Sequence, residues 1–349
     1  MKLHRRYLGY VNYAENATRP LEIPRNYALV ALDLHLIVKL SREAGSEGGP
    51  KDVAPAQVVR NLTVKANGSD TIKSIDMETL HRHNELHYET RPYIDADAIT
   101  GGSGYGALTN EVMHVCARIP FAMPRAIKQV DTLLDTAALS SLDLIVTWGT
   151  GMNTMNDAFD GASLTIHEAV LHVTAVEYIG VPADTVFMLY NQWVKQKEVT
   201  ATTGRFQIKL PVGNIYRGLL LKTHSDGDQV NTILPLSLTA LNEITLKSGT
   251  EIYLNMLAGV LQAQNRLTQG IQVPEIITDA AAVNHRLHET GLLGYYYIDF
   301  CRDGRLSEAL DTRVLSDLEF MLQVASVGTA DFIDVYADEL MLPAVTAAI

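Results

Sequence analysis

The chain has 349 residues, 47 % hydrophobic and 19 % charged, which excludes a disordered composition and leaves room for about two domains. Lys+Arg 28 against Asp+Glu 40 gives a formal charge of −12, and so acidic a surface disfavours sequence-independent binding to DNA or RNA. Cys116 and Cys301 cannot make a disulfide framework and have no zinc-type spacing, so two buried thiols in a reducing compartment are expected. No apolar run reaches the roughly 18–20 residues of a membrane span, and residues 1–13 lack the apolar centre of a signal peptide. A soluble chain made in a cytoplasm is the expectation.

In chain order, Met1–Tyr13 reads as an N-terminal arm mixing Lys2, Arg5 and Arg6 with Leu3, Tyr7, Leu8, Tyr10 and Tyr13. From Val30 the pattern has period two: Val30, Leu32, Leu34, Leu36, Val38 and Leu40 alternate with Asp33, His35 and Lys39, a strand with one face on a core. The stretches Leu142–Trp148, Arg205–Leu210 and Leu318–Val324 repeat that alternation. Turn-rich segments lie between, at Gly45–Pro55, Gly101–Gly106, Gly149–Gly161 and Ser225–Asp228. Three short helices are predicted in loops: Asp76–Tyr88 with Ser74 or Asp76 as N-cap, Pro124–Leu134, and Ala280–His288.

The sequence also contains itself twice. Asn61–Ile72 resembles Asn242–Ile252, each reading as strand, glycine turn, strand, with Gly68 matching Gly249. An offset of about 180 residues is kept by Leu80 and Leu261 and by Asn84 and Asn265 in the helical segments that follow. Ile23-Pro-Arg-Asn26 matches Leu210-Pro-Val-Gly213 upstream, and Leu139–Leu144 matches Leu315–Phe320 downstream, in the same order. Two copies of one fold follow, each with about eight strands, which two Greek keys arrange as a jelly roll. The fold class is therefore all-β, two tandem eight-stranded jelly rolls with a few short loop helices. The expected division is an arm over 1–18, a first roll over 19–195 and a second over 196–349.

Leu21-Glu-Ile-Pro-Arg-Asn26 before a long alternating strand, then Val64–Ile75 entering a helix, resembles the double jelly-roll major capsid proteins of tailless icosahedral bacteriophages with an internal membrane, in particular the corticovirus-like branch. The likeness is sharpest over residues 21–90, and the duplication extends it along the chain. It implies a coat protein without catalysis, located in the virion and assembled in the host cytoplasm. It also implies homotrimers of pseudo-hexagonal outline that meet neighbouring capsomers and minor capsid or penton proteins. Gly149–Gly161 and Thr268–Gly291 are then candidate outward or inter-capsomer loops. The arm is a candidate for contact with the internal viral membrane through Lys2, Arg5 and Arg6, because anionic lipid attracts basic side chains near its surface. The acidic body is not expected to touch nucleic acid.

Chemistry has few candidates. His81-Arg-His83 with His87 and Glu85 or Glu89 is the most metal-like cluster, and in a tandem β fold it raises the alternative of a bicupin-type metal-dependent enzyme. Residues two apart on a helix do not share a face, the second copy has Gln262 and Gln264 instead, and His83–His87 is not HExxH, so solvent-facing histidines are expected. Gly101–Gly106 resembles a phosphate loop in composition alone. No catalytic residue or cofactor is expected, apart from a weak calcium possibility at Asp157, Asp160, Asp226 and Asp228. A glycan-binding β-sandwich spike is a third reading.

Overall fold

Strands with one apolar face dominate, as the alternation requires. The computed structural model describes residues 1–42, 54–94, 108–149, 164–182, 185, 187–198, 203–224, 241–269, 275–278, 284–287, 294–325 and 332–341. The four aspartates considered for calcium, the 101–106 glycine loop, and nearly all of the other three turn-rich segments fall outside these residues.

Two sandwiches follow one another. In the first, β1 (Lys2–Asn12), β8 (Leu164–Ile179), β3 (Ala28–Arg42) and β6 (Leu108–Pro120) form one sheet in that order. Its partner sheet runs β2 (Thr18–Glu22), β7 (Leu142–Trp148), β4 (Val59–Ala66), β5 (Asp70–Ile75). In the second, β9 (Leu189–Glu198), β19 (Phe332–Met341), β11 (Ile215–His224) and β16 (Tyr295–Asp299) line up, with the short β17 (Leu310–Asp311) also on β11. They face β10 (Thr203–Lys209), β18 (Glu319–Ala325), β12 (Leu241–Ser248) and β13 (Glu251–Leu257). All these ladders are antiparallel, and the chain passes between facing sheets in the same sequence in both halves, the jelly-roll connection. Leu142, Leu144, Val146 and Trp148 of β7 are buried while Asp143, Ile145 and Thr147 are half-buried, the alternation read from sequence.

The duplication reaches individual bonds. The Ile23 N–H donates to the Leu142 carbonyl at 2.8 Å, and the matching Leu210 N–H donates to Leu318, also at 2.8 Å. Gly68 (φ 81°) and Gly249 (φ 53°) turn the β4–β5 and β12–β13 hairpins in the left-handed region that favours glycine. Each hairpin runs into a helix, α1 (Met77–Tyr88) and α2 (Ala258–Gln269). On α1 the Asn84 amide donates to the Arg118 carbonyl (2.8 Å) and accepts from the Arg118 N–H (2.6 Å). On α2 the Asn265 amide does the same to Tyr297, at 2.7 and 2.9 Å. Arg118 and Tyr297 lie on β6 and β16, the outer strands of their sheets, so each asparagine serves backbone groups that have no neighbouring strand. Asn265→Ala leaves a buried N–H and a buried carbonyl without partners, and a loss of roughly 2–4 kcal/mol in denaturant unfolding is expected. A loss below about 1 kcal/mol would show that the pairing does not hold the helix to the sheet.

Several expectations need correction. Residues 2–12 are no arm: β1 pairs along its length with β8, from Lys2 opposite Ile179 to Asn12 opposite Val170, so they belong to the first roll. The division at 195/196 cuts β9, which pairs with β19 and belongs wholly to the second roll; the rolls part between Ile179 and Leu189. Asn284–Leu287, expected in a helix, is strand β15, paired with β14 (Glu275–Thr278) in a hairpin within the segment read as loop. Pro124–Leu134 contains only the 3-10 turn Gln129–Thr132. Cys301 is a buried free thiol, whereas Cys116 is half-exposed on β6.

Candidate functional site

The most unusual sequence in the fold is α1. Asp76 caps it, its carboxylate accepting from the N–H and the hydroxyl of Thr79, each at 2.7 Å. From Met77 to His87 every residue is buried, including Glu78, His81, Arg82, His83, Asn84, Glu85 and His87. A helix this polar normally faces water, and burial requires partners for its charges. Here the second roll supplies several of them, because α1 lies in the seam between the two sandwiches, where Leu220, Tyr295, Tyr297 and Tyr336 also join the apolar core of the first roll. The histidines are therefore interior groups, contrary to the solvent-facing expectation.

At one end of the seam, Lys222 of β11 places Nζ 3.3 Å from Glu78 and 3.6 Å from Asp76. The Tyr336 hydroxyl on β19 donates to Asp76, and the Gln57 amide donates to Glu78 at 3.2 Å. Burial opposes the charge on Lys222, but Asp76 and Glu78 outweigh it and hold its pKa well above that of an ordinary lysine. Burial likewise opposes ionisation of Asp76, and Lys222, Tyr336 and Thr79 together bring its pKa below the usual value. Within α1, Arg82 donates to Glu85 at 3.1 Å.

At the other end, three side chains converge. His83 Nε2 is 2.7 Å from Asp338 Oδ2, His87 Nε2 is 3.3 Å from the same oxygen, and the two Nε2 atoms are 2.8 Å apart. Gln192 of β9 donates its amide to Asp338 Oδ1 at 2.9 Å. The HxH spacing that raised the bicupin reading is split: His81 directs Nε2 to the Pro92 carbonyl at 3.2 Å, away from His83. The pair that meets is His83 and His87, four apart on one helix face. Asp338 and Gln192 were missed because nothing local in sequence ties β19 or β9 to α1. Arg217 lies nearby, bonded to Asp299 at 2.8 Å and to the Tyr297 hydroxyl. Lys73 of β5 is buried with Nζ 3.7 Å from the centre of the Tyr190 ring. Burial is the main cause that lowers its pKa to about 7, with Asp338 acting in the opposite direction.

The outer face of the first sheet is also built from polar and aromatic groups. A cleft of about 870 Å³ is lined by Tyr7, His35, Tyr93, Cys116, Arg118 and His172, among others. His35 Nε2 meets His114 Nδ1 at 3.0 Å, and the Tyr7 hydroxyl meets His172 Nδ1 at 2.9 Å. Burial and then the neighbouring histidines lower the pKa of His35. Of the basic residues read as membrane-facing, Lys2 and Arg5 are exposed, whereas Arg6 is bonded to the buried carboxylate of Glu177. No helix among the described residues is long and apolar enough to cross a membrane.

No family model matches the sequence, and no curated protein matches it. Solved structures do. The major capsid protein of STIV is similar over 100 % of both chains, at 16 % identity and a TM-score of 0.71. The major capsid protein of bacteriophage PM2 is similar over 98 % of this chain and 99 % of its own, at 13 % identity and 0.56. The capsid of the virus PBCV-1 matches over 97 % of this chain and 95 % of its own, at 12 % identity and 0.61. With two sandwiches of the same strand order and matches that run the length of the chain, it has the double jelly-roll fold found in these viral major capsid proteins.

Proposed function

We propose that this chain is the major capsid protein of an icosahedral virus, a trimer of pseudo-hexagonal outline that tiles a shell over an internal membrane. The observation that carries this reading is the end-to-end match, at full coverage of both chains, between a duplicated sandwich and a coat protein. A hexagonal tile made from three chains needs two similar rolls per chain. Here the similarity extends to the paired asparagines Asn84 and Asn265. The tile works by geometry: lateral faces bury area against other chains, neighbouring capsomers and penton proteins, and no reaction is required of it.

Membrane contact is part of the same proposal. Its basis is now the edge of the first roll near Lys2 and Arg5, with Met1 and Leu3 exposed beside them, in place of a free arm. Deleting residues 1–13 would strip a strand from a sheet, so the informative change is charge reversal. Light scattering of the purified chain is expected to give the mass of three chains, and a stable monomer would overturn the tile. Lys2→Glu combined with Arg5→Glu is expected to leave that trimer intact and to reduce its sedimentation with anionic vesicles. Unchanged sedimentation would remove the membrane role while leaving the coat-protein reading in place.

A further inference from the structure

We infer that His83, His87 and Asp338 bind one divalent transition ion of the zinc class, a metal staple between the two jelly rolls. The inference does not depend on the coat-protein reading. His83 and His87 come from α1 of the first roll, Asp338 from β19 of the second, and all three are buried. Their ligand atoms lie 2.7, 2.8 and 3.3 Å apart.

These distances set an electrostatic problem. Two imidazole nitrogens and a carboxylate oxygen present lone pairs to one point in a site that excludes water. One proton bridges two of the three atoms and leaves the third facing a lone pair, whereas an N–H on each Nε2 lets both imidazoles donate to Asp338 Oδ2 and sets the two N–H groups against each other at 2.8 Å. The cations nearby are turned elsewhere, Arg217 to Asp299 and Tyr297, and Lys73 to the ring of Tyr190. A divalent ion satisfies all three atoms at once. With bonds of about 2.0–2.2 Å in tetrahedral geometry, ligand atoms sit roughly 3.3–3.6 Å apart, so the two shorter contacts need to open by about 0.5–0.9 Å.

The donor set selects the ion. Calcium seeks six to eight oxygens, whereas two imidazoles and one carboxylate suit zinc and its neighbours. Gln192 provides the surrounding support: its amide nitrogen orients Asp338 through Oδ1 at 2.9 Å and comes within 3.4 Å of His83 Nε2. Its own oxygen is buried without a hydrogen-bond partner. The Tyr297 ring closes the site, with its centre 5.5 Å from that of His87 and 6.4 Å from that of His83. Because the ligands come from both rolls, the complete site exists only once the rolls have docked, so metal binding and docking reinforce each other.

The full-length chain, refolded from denaturant with micromolar zinc and then desalted, is expected to retain about one zinc per chain by plasma mass spectrometry. Its melting temperature should exceed that of the same protein refolded without metal. His83→Asn and His87→Asn should each lose most of the bound zinc and the thermal increment. Cobalt(II) in place of zinc should give the intense visible absorption of a tetrahedral site, a readout that needs only the wild-type chain if the variants do not fold. Failure of the wild type to retain zinc, equal zinc in wild type and both variants, or a weak six-coordinate cobalt spectrum would each overturn the assignment.

Discussion

Lys222→Met is expected to destabilise the chain by roughly 3–5 kcal/mol, because it leaves Asp76 and Glu78 buried without their cation. The substitution keeps the volume of the side chain, so the loss reports charge and not a cavity. Its pH dependence has a definite sign. In the wild type the raised pKa of Lys222 gives stability that is complete below the ordinary lysine value of about 10.4 and is lost as pH rises through the folded value. The lowered pKa of Asp76 gives stability that is present above the ordinary value of about 3.9 and is lost as pH falls through the folded value. Between those limits the wild type gains nothing from this cluster on acidification. In the variant, buried carboxylates without a cation favour protonation, so the deficit relative to wild type should shrink as pH falls from about 8 to about 5. Denaturant unfolding at both pH values measures this; a deficit independent of pH would place the effect in packing.

Lys73→Met should act in the opposite direction and stabilise the chain, by on the order of 2–4 kcal/mol at and below neutral pH. Lys73 is buried as completely as Lys222, but its ammonium rests on the face of Tyr190 and, among the described residues, has no carboxylate as close as those of Lys222. A ring face returns only about 2 kcal/mol of the desolvation cost. With a folded pKa of about 7 against an ordinary lysine value of about 10.4, the unfolded chain binds more protons between these limits, and stability rises with pH across them. Methionine removes both the penalty and the slope, so the gain should be largest below pH 7 and fade toward pH 10. Melting temperatures of the two proteins across that range test it, and a destabilised variant would show that the lysine is needed where it lies.

Much of the fold was legible because burial in a sandwich writes itself as alternation. Leu142–Trp148 can be read residue by residue, and the matched glycines and asparagines carry the duplication in the sequence itself. The N-terminal strand escaped notice because β1 is an outer strand: only Val11 is fully buried, while Leu3, Tyr7 and Tyr10 remain exposed. The start of the second roll was misplaced because the buried positions of β9 include Tyr190 and Gln192 in place of an aliphatic row. The seam was illegible for a deeper reason. A helix whose few apolar residues, Met77, Leu80 and Leu86, are outnumbered by charged and polar ones reads as half surface, and the residues that justify its full burial, Lys222, Tyr336 and Asp338, are more than a hundred positions away in the chain. The asparagines were found as a repeat, yet their work on the outer strands needed coordinates.

A seam held by ion pairs and hydrogen bonds has a mechanical consequence. Apolar attraction has no direction, so it does not by itself single out one register between two surfaces. The bonds from α1 to Lys222, Tyr336 and Asp338 do have direction, and a shift of one residue along the seam would strand buried charges. These bonds therefore oppose a shear of one roll along the other.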